Sequence, residues 1–231
     1  MLSTIIKTAD GSHSLFIKEL NEHYHSIHGA IQESKHVFIN AGLKQISTNP
    51  DLKFEINILE IGLGTGLNAF LSFIEAEQQS LKINYTAIEA FPVSADLIEQ
   101  LNYVECLDAE KYKTVFNKIH TCEWEKTEAL SKHFTICKIK NKLQNVVFEN
   151  KFNLIYFDAF GPQVQPEMWT EEVFAKLFSA LEPMGSLVTY CAKGEVKRTL
   201  KKVGFTVESL AGPPGKREMV RALKVFHLSE I

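Results

Sequence analysis

The sequence predicts an α/β fold in which helices cover both faces of a mostly parallel β-sheet. The first observation is the segment Ile56–Asn68, where a short apolar run ends in an acid and leads through three alternating glycines into an apolar helical segment. The second is that strand-like and helical patterns alternate from Phe54 onwards, as they do in sheets with helical crossovers. The third is that the last two apolar segments are joined by a short Gly-Pro-Pro-Gly turn, which is too brief for a crossover helix and therefore requires antiparallel pairing.

Seven strands and five helices follow from the spacing of the apolar residues. The strands are expected at Ile56–Ile61, Ile83–Ile88, Phe134–Ile139, Asn153–Phe157, Ser186–Cys191, Phe205–Ser209 and Met219–Phe226. The helices are expected at Leu67–Gln78, Pro92–Asn102, 108–132, Pro166–Leu181 and Val196–Val203. A seven-stranded, mostly parallel sheet with a C-terminal antiparallel hairpin resembles the plan of the Rossmann-like class I methyltransferases, although a fold alone does not fix a function.

Residues 1–52 differ in character from the rest of the chain. They are rich in His and polar residues, and they contain an expected strand at Ser14–Ile17 and helical spacing from Leu20 to Gly42 that is interrupted near Gly29. We interpret residues 1–52 as an N-terminal extension that packs on a main domain of residues 53–231.

Composition and charge exclude several classes of protein. Of the 231 residues, 45% are hydrophobic, which suits an ordinary globular core. The formal net charge is −3, so a nucleic acid has to be met by a local basic patch. The four scattered cysteines form no C-x-x-C pair, which indicates reduced thiols in a cytoplasmic protein. No stretch reaches the roughly 18 apolar residues of a membrane span, and no obligate protein partner is indicated.

The glycine-rich turn Gly62–Gly66 is the first candidate site. Glycine lets the backbone approach a ligand closely and adopt positive φ angles. The spacing G-x-G-x-G is tighter than the G-x-G-x-x-G of dinucleotide-binding domains, and S-adenosylmethionine, which has no phosphate, suits a tighter turn. The candidate cofactor-binding residues at this edge are Glu60, Gly62, Gly64, Thr65, Gly66 and Asn68.

Two further carboxylates come directly after buried strands. Glu89 follows the second strand, at the position where an acid bonds paired ribose hydroxyls in nucleotide-binding α/β domains. Asp158 follows the fourth strand, beside Phe160 and Trp169. We expect its carboxylate to hold an amine by a charge-assisted hydrogen bond, either that of a substrate or the ammonium of the cofactor's methionine.

Two clusters of basic residues remain. His23, His25 and His28 lie within six residues, but they lack i, i+4 spacing and a matching set of acids or cysteines, so no metal site is expected. A C-terminal basic set consists of Lys193, Lys197, Arg198, Lys201, Lys202, Lys216, Arg217 and Arg221. Part of this set fits the solvated face of a helix equally well. We expect Lys216 and Arg217, which lie in a Gly-Pro loop, and Lys193 to contact phosphates.

Motifs over most of the chain resemble those of the MnmC-like tRNA (5-methylaminomethyl-2-thiouridine) methyltransferase family. They are T-A-D-G-S-H-S-L-F (8–16), E-H-Y-H-S-I-H-G-A (22–30), Q-E-S-K-H-V-F-I (32–39), G-L-G-T-G-L-N (62–68), F-D-A-F-G-P-Q-V-Q-P-E-M-W (157–169), L-V-T-Y-C-A-K-G (187–194) and G-K-R-E-M (215–219). The D-A-F-G-P…P-E-M-W block is the most specific of these. The glycine motif alone is shared by many methyltransferases.

This resemblance implies S-adenosylmethionine-dependent methyl transfer to the exocyclic amine of 5-aminomethyl-(2-thio)uridine at the tRNA wobble position. It implies that Asp158 is the active-site aspartate and that Gly62, Gly64, Gly66 and Glu89 bind the cofactor. Bifunctional members carry a fused flavin-dependent oxidase. This chain has no second dinucleotide motif, so it resembles the stand-alone form, with a separate oxidase as a possible upstream partner.

One position departs from the pattern of related methyltransferases, which often carry an acid after the third strand that bonds the adenine amino group. The corresponding segment here reads K-I-K-N-K (138–142) and contains no acid. Either Asn141 accepts that bond or the third strand is misplaced.

The implied reaction requires a neutral amine, because an ammonium has no lone pair. An apolar pocket disfavours the ammonium, and Tyr24, Phe160 and Trp169 are the expected walls. A carboxylate with an ordinary pKa of about 3.9 is a weak base, so Asp158 is expected to orient the amine more than to deprotonate it. Two other kinds of function stay open: a small-molecule methyltransferase or aminopropyltransferase on the same fold, and a non-catalytic module that binds tRNA or another partner.

Overall fold

The computed structural model describes residues 3–48, 55–148 and 152–225. Its strands are β1 (Ser3–Lys7), β2 (His13–Ile17), β3 (Glu22–His23), β4 (Ile56–Ile61), β5 (Ile83–Ile88), β6 (Thr127–Ala129), β7 (Phe134–Ile139), β8 (Phe152–Phe157), β9 (Leu181–Thr189), β10 (Thr206–Ala211) and β11 (Glu218–Leu223). Its α-helices are α1 (Ala30–Ser34), α2 (Lys44–Ser47), α3 (Leu67–Gln79), α4 (Ala95–Ile98), α5 (Tyr103–Cys106), α6 (Lys113–Thr121), α7 (Glu171–Ala180) and α8 (Gly194–Val203). A π-helical segment, Lys35–Leu43, joins α1 to α2, and short 3₁₀ helices lie at Glu110–Tyr112, Leu143–Asn145 and Pro166–Met168.

Within this part of the chain, eight strands form the large sheet in the order β10-β11-β9-β8-β4-β5-β7-β6. Strands β9, β8, β4, β5 and β7 run parallel, whereas β11, β10 and β6 pair antiparallel towards the two edges. After β4 the chain builds β5 and β7 on one side and then returns to place β8 on the other side. A crevice therefore forms at the carboxyl ends of β4 and β8, which is where open α/β sheets bind ligands.

The predicted α/β class is confirmed, and the large sheet has eight strands where the sequence predicts seven. Strands β4, β5 and β7 have the predicted bounds, and the additional strand is β6. It lies in the range 108–132, for which the helical prediction is wrong outside Lys113–Thr121 and the short 3₁₀ turn before it. Glu125 adopts a left-handed φ of 59° and its N–H donates to the carbonyl of Lys138 over 2.7 Å, so the chain turns onto the sheet edge instead of continuing a helix.

Several other predicted elements have different bounds. The helix expected at Pro166–Leu181 is α-helical only over Glu171–Ala180, after a 3₁₀ turn at Pro166–Met168, and the last two strands are Thr206–Ala211 and Glu218–Leu223. The helix expected at Pro92–Asn102 is reduced to α4, because the Asn102 side chain accepts from the N–H of His13 and donates to the carbonyl of Gly11, which ties this point to the N-terminal segment. Strand β9 begins at Leu181, well before the predicted start, and accommodates Met184 at a φ of 64° through an irregular register. The last strand ends at Leu223, so its predicted continuation to residue 226, which itself lies outside the described residues, is wrong.

The N-terminal segment forms a small three-stranded sheet, β1-β2-β3, followed by the helical run from α1 to α2. The strand expected at Ser14–Ile17 lies within β2, whereas the helical prediction from Leu20 holds only from Ala30 onwards. The helical run packs on the large sheet, where the rings of Phe38 and Tyr156 lie 5.1 Å apart. The predicted boundary at residues 52 and 53 falls outside the described residues.

Apolar side chains are buried on both faces of the large sheet. Phe70 and Phe73 of α3 belong to the core on one face, and Phe174 and Leu177 of α7 to the core on the other. Every residue of β8 is buried, as expected for a parallel strand covered on both sides. None of the helices in the described ranges combines the length and apolarity needed to cross a membrane.

Candidate active site

The register of the parallel strands brings three strand ends to the same level. Ile61, the last residue of β4, pairs with the last residues of both β5 and β8. The residues that follow, Gly62, Glu89 and Asp158, therefore leave the sheet side by side. This is the arrangement that the sequence pattern predicts.

The glycine turn after β4 leaves no room for side chains at two positions. Gly62 has a φ of 91°, and a Cβ there would lie 2.9 Å from the carbonyl oxygen of Asp158. Gly64 has a φ of 49°, and its Cβ would lie 3.0 Å from the ring of Tyr24. Any L-residue would be strained in this conformation and would also meet these neighbours. The bare backbone thus forms part of the wall of a cavity.

Glu89 is fixed by two backbone N–H groups. Its Oε2 accepts from the N–H of Gly64 over 2.9 Å, and its Oε1 accepts from the N–H of Phe91 over 2.8 Å. A carboxylate oxygen can accept more than one hydrogen bond. The carboxylate is therefore held in one orientation at the cavity wall and keeps acceptor capacity for hydroxyl groups.

Asp158 accepts a hydrogen bond from the amide of a buried neighbour. The Nδ2 of Asn68 donates to its Oδ2 over 2.8 Å. Burial raises the pKa of Asp158 to about 7, and the carboxylate of Glu33 adds to the rise, whereas Asn68 and Lys216 oppose it. A group with this pKa exchanges protons readily at neutral pH. The ordinary pKa expected from the sequence therefore does not apply here, and proton acceptance becomes compatible with this carboxyl.

Glu60 does not line the cavity, in contrast to the sequence expectation. It lies in β4 with a fully buried side chain, and its carboxyl group neighbours the side chains of Asn68 and Tyr85, although no contact among the described residues reaches hydrogen-bond geometry. Burial raises the pKa of Glu60 well above its usual range, and the charge of Asp158 acts in the same direction. The neutral form is thus favoured, which avoids a second full negative charge in this part of the core.

The strand ends border one cavity of about 960 Å³, which is covered by residues of the N-terminal segment. Tyr24 lies between the glycine turn and Phe160, with its ring centroid 5.2 Å from that of Phe160. Burial and the charge of Glu89 raise the pKa of Tyr24 to about 12, so its phenol is neutral at physiological pH. The two rings form an aromatic wall in the cavity that Asp158 also lines.

The structure brings most of the predicted site residues together and separates five of them. The predicted residues that line the cavity are Tyr24, Gly62, Gly64, Thr65, Asn68, Glu89, Asp158, Phe160 and Lys216. The predicted residues outside its lining are Glu60, Gly66, Trp169, Lys193 and Arg217. Gly66 starts α3 in close contact with His120, and Trp169 supports the cavity from behind by donating from Nε1 to the carbonyl of Phe160 over 2.8 Å.

The histidine-rich segment is divided among different environments. His25 is buried and its Nε2 lies 2.8 Å from the Oγ1 of Thr65, which also accepts from the hydroxyl of Tyr103. Burial lowers the pKa of His25 to about 4, so the ring is neutral. His28 instead packs against Gly215 of the C-terminal hairpin. Over residues 3–48, 55–148 and 152–225, no group of three or more His, Cys, Asp or Glu side chains is arranged to hold a metal ion.

Lys216, which the sequence analysis expects to contact phosphates, is engaged inside the protein. Its Nζ lies 2.5 Å from Oε1 of Glu33 and 3.9 Å from the ring centroid of Tyr190. The ammonium is therefore held in the cavity wall. Arg217, the next residue, is exposed and has no ion-pair partner among the described residues.

Two residues of the cavity, Glu33 and Tyr190, are not predicted from the sequence. Tyr190 directly follows β9 and donates from its hydroxyl to the carbonyl of Ala159 over 2.9 Å. The strand-end rule that identifies Asp158 misses Tyr190, because the predicted strand runs to Cys191 whereas β9 ends at Thr189. Glu33 is harder to find from the sequence. It is a buried acid in the short helix α1, and only the tertiary structure reveals its partner.

The lining fits S-adenosylmethionine. The bare glycine turn accommodates close approach of a ligand, and Glu89 offers acceptors for a ribose diol. The buried Oδ1 of Asn68 has no hydrogen-bond partner in the described part of the chain. Strand β7 ends at Ile139 as predicted, so Asn141, which also lines the cavity, lies where the sequence places the adenine contact.

Comparison with known proteins identifies a family and several relatives. A family model described as S-adenosyl-L-methionine-dependent methyltransferase matches residues 102–225. The tRNA 5-methylaminomethyl-2-thiouridine biosynthesis bifunctional protein MnmC of Leptospira borgpetersenii is 27% identical, over 85% of this chain and 31% of that protein. The protein of the same name from Actinobacillus pleuropneumoniae is 27% identical, over 88% of this chain and 32% of that protein. The chain thus spans about a third of the length of these relatives.

Solved structures agree on the fold. The crystal structure of MNMC2 from Aquifex aeolicus matches with a TM-score of 0.76 and 23% identity, covering 96% of this chain and 69% of that chain. The spermidine synthase from Thermotoga maritima matches with a TM-score of 0.52 and 17% identity, covering 98% of this chain and 73% of that chain. Identities this low support the shared architecture alone.

Proposed function

Because the chain belongs to the S-adenosyl-L-methionine-dependent methyltransferase family, we propose that it methylates the exocyclic amine of 5-aminomethyl-(2-thio)uridine at the wobble position of tRNA. The names of the curated relatives support tRNA as the substrate. The observation that carries the proposal is that the glycine turn, Glu89 and Asp158 line one cavity.

The cofactor half of the cavity is formed by the ends of β4, β5 and β7. In this proposal Gly62 and Gly64 border the amino-acid end of the cofactor, Glu89 accepts from its ribose hydroxyls, and Asn141 contacts its adenine. When bound, S-adenosylmethionine supplies a methyl group on a sulfonium, whose carbon–sulfur electron pair stays with sulfur as the new nitrogen–carbon bond forms.

The substrate half of the cavity prepares the amine. An alkylamine with a pKa near that of lysine, about 10.4, is mostly protonated at neutral pH. Withdrawal from water beside the rings of Tyr24 and Phe160 disfavours the charged ammonium by desolvation. Asp158 orients the nitrogen and accepts the proton that it loses, as its pKa of about 7 allows. This assigns Asp158 both an orienting role and a proton-accepting role, with the proton passing on to water after transfer.

Two cations beside the cavity, one exposed and one partly exposed, are the proposed contacts to tRNA. Arg217 is exposed in the turn that carries Lys216, and Lys193 immediately precedes α8. Neither has an ion-pair partner within the described ranges. Such cations position an RNA without reading its sequence, while an unpaired anticodon base enters the cavity. The aminomethyl group itself has to come from an earlier reaction, for which we propose a flavin-dependent oxidation.

The test is methyl transfer from labelled S-adenosylmethionine by the purified protein. Three acceptors are compared: tRNA bearing 5-aminomethyl-uridine, the same tRNA lacking the modification, and polyamines. We expect label only in the first, recovered by nucleoside mass spectrometry as the methylated aminomethyl nucleoside. Label in polyamines instead would replace the tRNA proposal by a small-molecule transferase. Absence of cofactor binding by calorimetry would point to a non-catalytic module.

A further inference from the structure

A partly buried pair of opposite charges occupies the same cavity as Asp158. Lys216 lies in the turn between β10 and β11, and Glu33 lies in α1, so residues far apart in the chain meet here with Nζ and Oε1 2.5 Å apart. The side chain of Glu33 is 7% exposed and that of Lys216 is 33% exposed. Charges so far withdrawn from bulk water are less screened than surface charges, so they act on other groups in the cavity.

The surrounding structure fixes Lys216 in this place. Gly215 has a φ of 84°, and a Cβ there would lie 2.1 Å from the ring of His28, so only glycine allows the turn to pack this closely on the N-terminal segment. The N–H of Lys216 donates to the carbonyl of Pro213 over 2.9 Å. The Oε2 of Glu33 accepts from the N–H of Ser26 over 2.7 Å. The pair is thus anchored from both sides.

The aromatic ring beneath Lys216 links it to the strand end that carries Asp158. The Nζ lies 3.9 Å from the ring centroid of Tyr190, whose hydroxyl donates to the carbonyl of Ala159. Lys142 also lines the cavity, but it follows β7, three strands away from β8 in the sheet. Of these two cavity-lining lysines, Lys216 is therefore the one at the end of the cavity that carries Asp158.

Several titratable groups surround this ammonium. From the N-terminal segment they are Glu22, His25, His28 and Glu33, and from the strand ends Asp158, Tyr190 and Cys191. Burial holds His25 neutral and raises the pKa values of Tyr190 and Cys191, so these three carry no charge at neutral pH. The charges that act on a bound amine here are those of Lys216 and of the nearby carboxylates.

We propose that Lys216 is a positioning residue whose ammonium lowers the proton affinity of the substrate amine and of Asp158, and so sets the pH at which the amine becomes nucleophilic. A cation at this wall disfavours a second cation beside it, which promotes loss of the proton from the amine. Glu33 moderates this effect by partly neutralising Lys216. The inference rests on the proposed amine methylation.

The experiment is the pH profile of single-turnover methyl transfer to tRNA bearing 5-aminomethyl-uridine, from pH 5.5 to 9.5 with both substrates saturating. For Lys216→Met we expect the acid limb to move up by about one pH unit, with a roughly tenfold lower rate at pH 7 and a plateau at high pH within about twofold of the wild type. Lys216→Arg keeps the charge and is expected to keep the acid limb. Glu33→Gln is expected to move it downwards.

A matched control is Lys142→Met, which removes the same charge from the far end of the cavity and is expected to leave the acid limb in place. The inference would be overturned if Lys216→Met lowered the methyl-transfer rate by the same factor at every pH, or if it left the acid limb of the pH profile unshifted. An equal shift in the Lys142→Met protein would overturn it as well. If the wild-type protein transfers no methyl group to this tRNA, the proposed function itself fails, which is a different outcome from an active enzyme with an unmoved profile.

Discussion

Asn68 holds Asp158 through a hydrogen bond of 2.8 Å between its Nδ2 and the Oδ2 of the carboxylate. Asn68 lies in the first turn of α3, directly after the glycine turn, whereas Asp158 follows β8. One helix start thus connects the backbone proposed to border the cofactor with the carboxylate proposed to accept the proton. The two halves of the site are positioned by a single local structure, which suits a reaction that depends on alignment.

Replacing Asp158 by Asn keeps the shape of the side chain and an acceptor for Asn68, but it removes the proton acceptor. We expect Asp158→Asn to lower kcat by roughly 100-fold or more, the usual scale of general-base effects. We expect the Kd of S-adenosylmethionine to change by less than about threefold. Single-turnover transfer and calorimetric titration measure the two quantities. Unchanged turnover would remove Asp158 from the reaction.

The same substitution should stabilise the protein in a pH-dependent way. The folded-state pKa of Asp158, about 7, lies above the ordinary aspartate value of 3.8, so its contribution to stability is full below pH 4 and is lost as pH rises through 7. Asn cannot ionise and escapes this loss. We expect the Tm of Asp158→Asn to exceed that of the wild type by several degrees at pH 8 and the difference to shrink at pH 5. A difference that is constant with pH would contradict the raised pKa.

Glu89 should be intolerant even of Gln. Both of its oxygens accept from backbone N–H groups, those of Gly64 and Phe91. Gln supplies one oxygen and one NH₂, so one N–H would face a donor and lose its partner. We expect Glu89→Gln to weaken cofactor binding at least about tenfold. Glu167→Gln, which alters another carboxylate of the same cavity, is the control and should bind normally in the same calorimetric titration.

Lys193 and Arg217 should account for part of the salt dependence of tRNA binding. Each phosphate contact on a single strand contributes about 0.7 to the slope of log K against log salt. The Lys193→Gln/Arg217→Gln protein should bind more weakly and with a slope reduced by about 1.4. A control of equal charge is Lys111→Gln/Lys113→Gln, at exposed positions that do not line the cavity. Equal losses in both double variants would indicate a general charge effect.

Strand ends were predictable from the sequence because parallel strands covered on both faces give continuous apolar runs, and the residue after each run lies at the same edge. This rule located Gly62, Glu89 and Asp158. It failed between Thr121 and Phe134, where the short edge strand β6 follows a left-handed residue and has no periodic signal. Local spacing also could not distinguish Glu60, buried in β4, from the residues that reach the cavity.

The sequence by itself determined the order of strands and helices, the glycine turn and the carboxylates that follow the strands, because these depend on periods of a few residues. Only the tertiary structure decided that Lys216 pairs with Glu33 above Tyr190 and that the carboxyl of Asp158 is raised to a pKa of about 7. Lys216 and Glu33 meet because two terminal segments fold over one sheet edge, and burial and electrostatic coupling depend on distance in space.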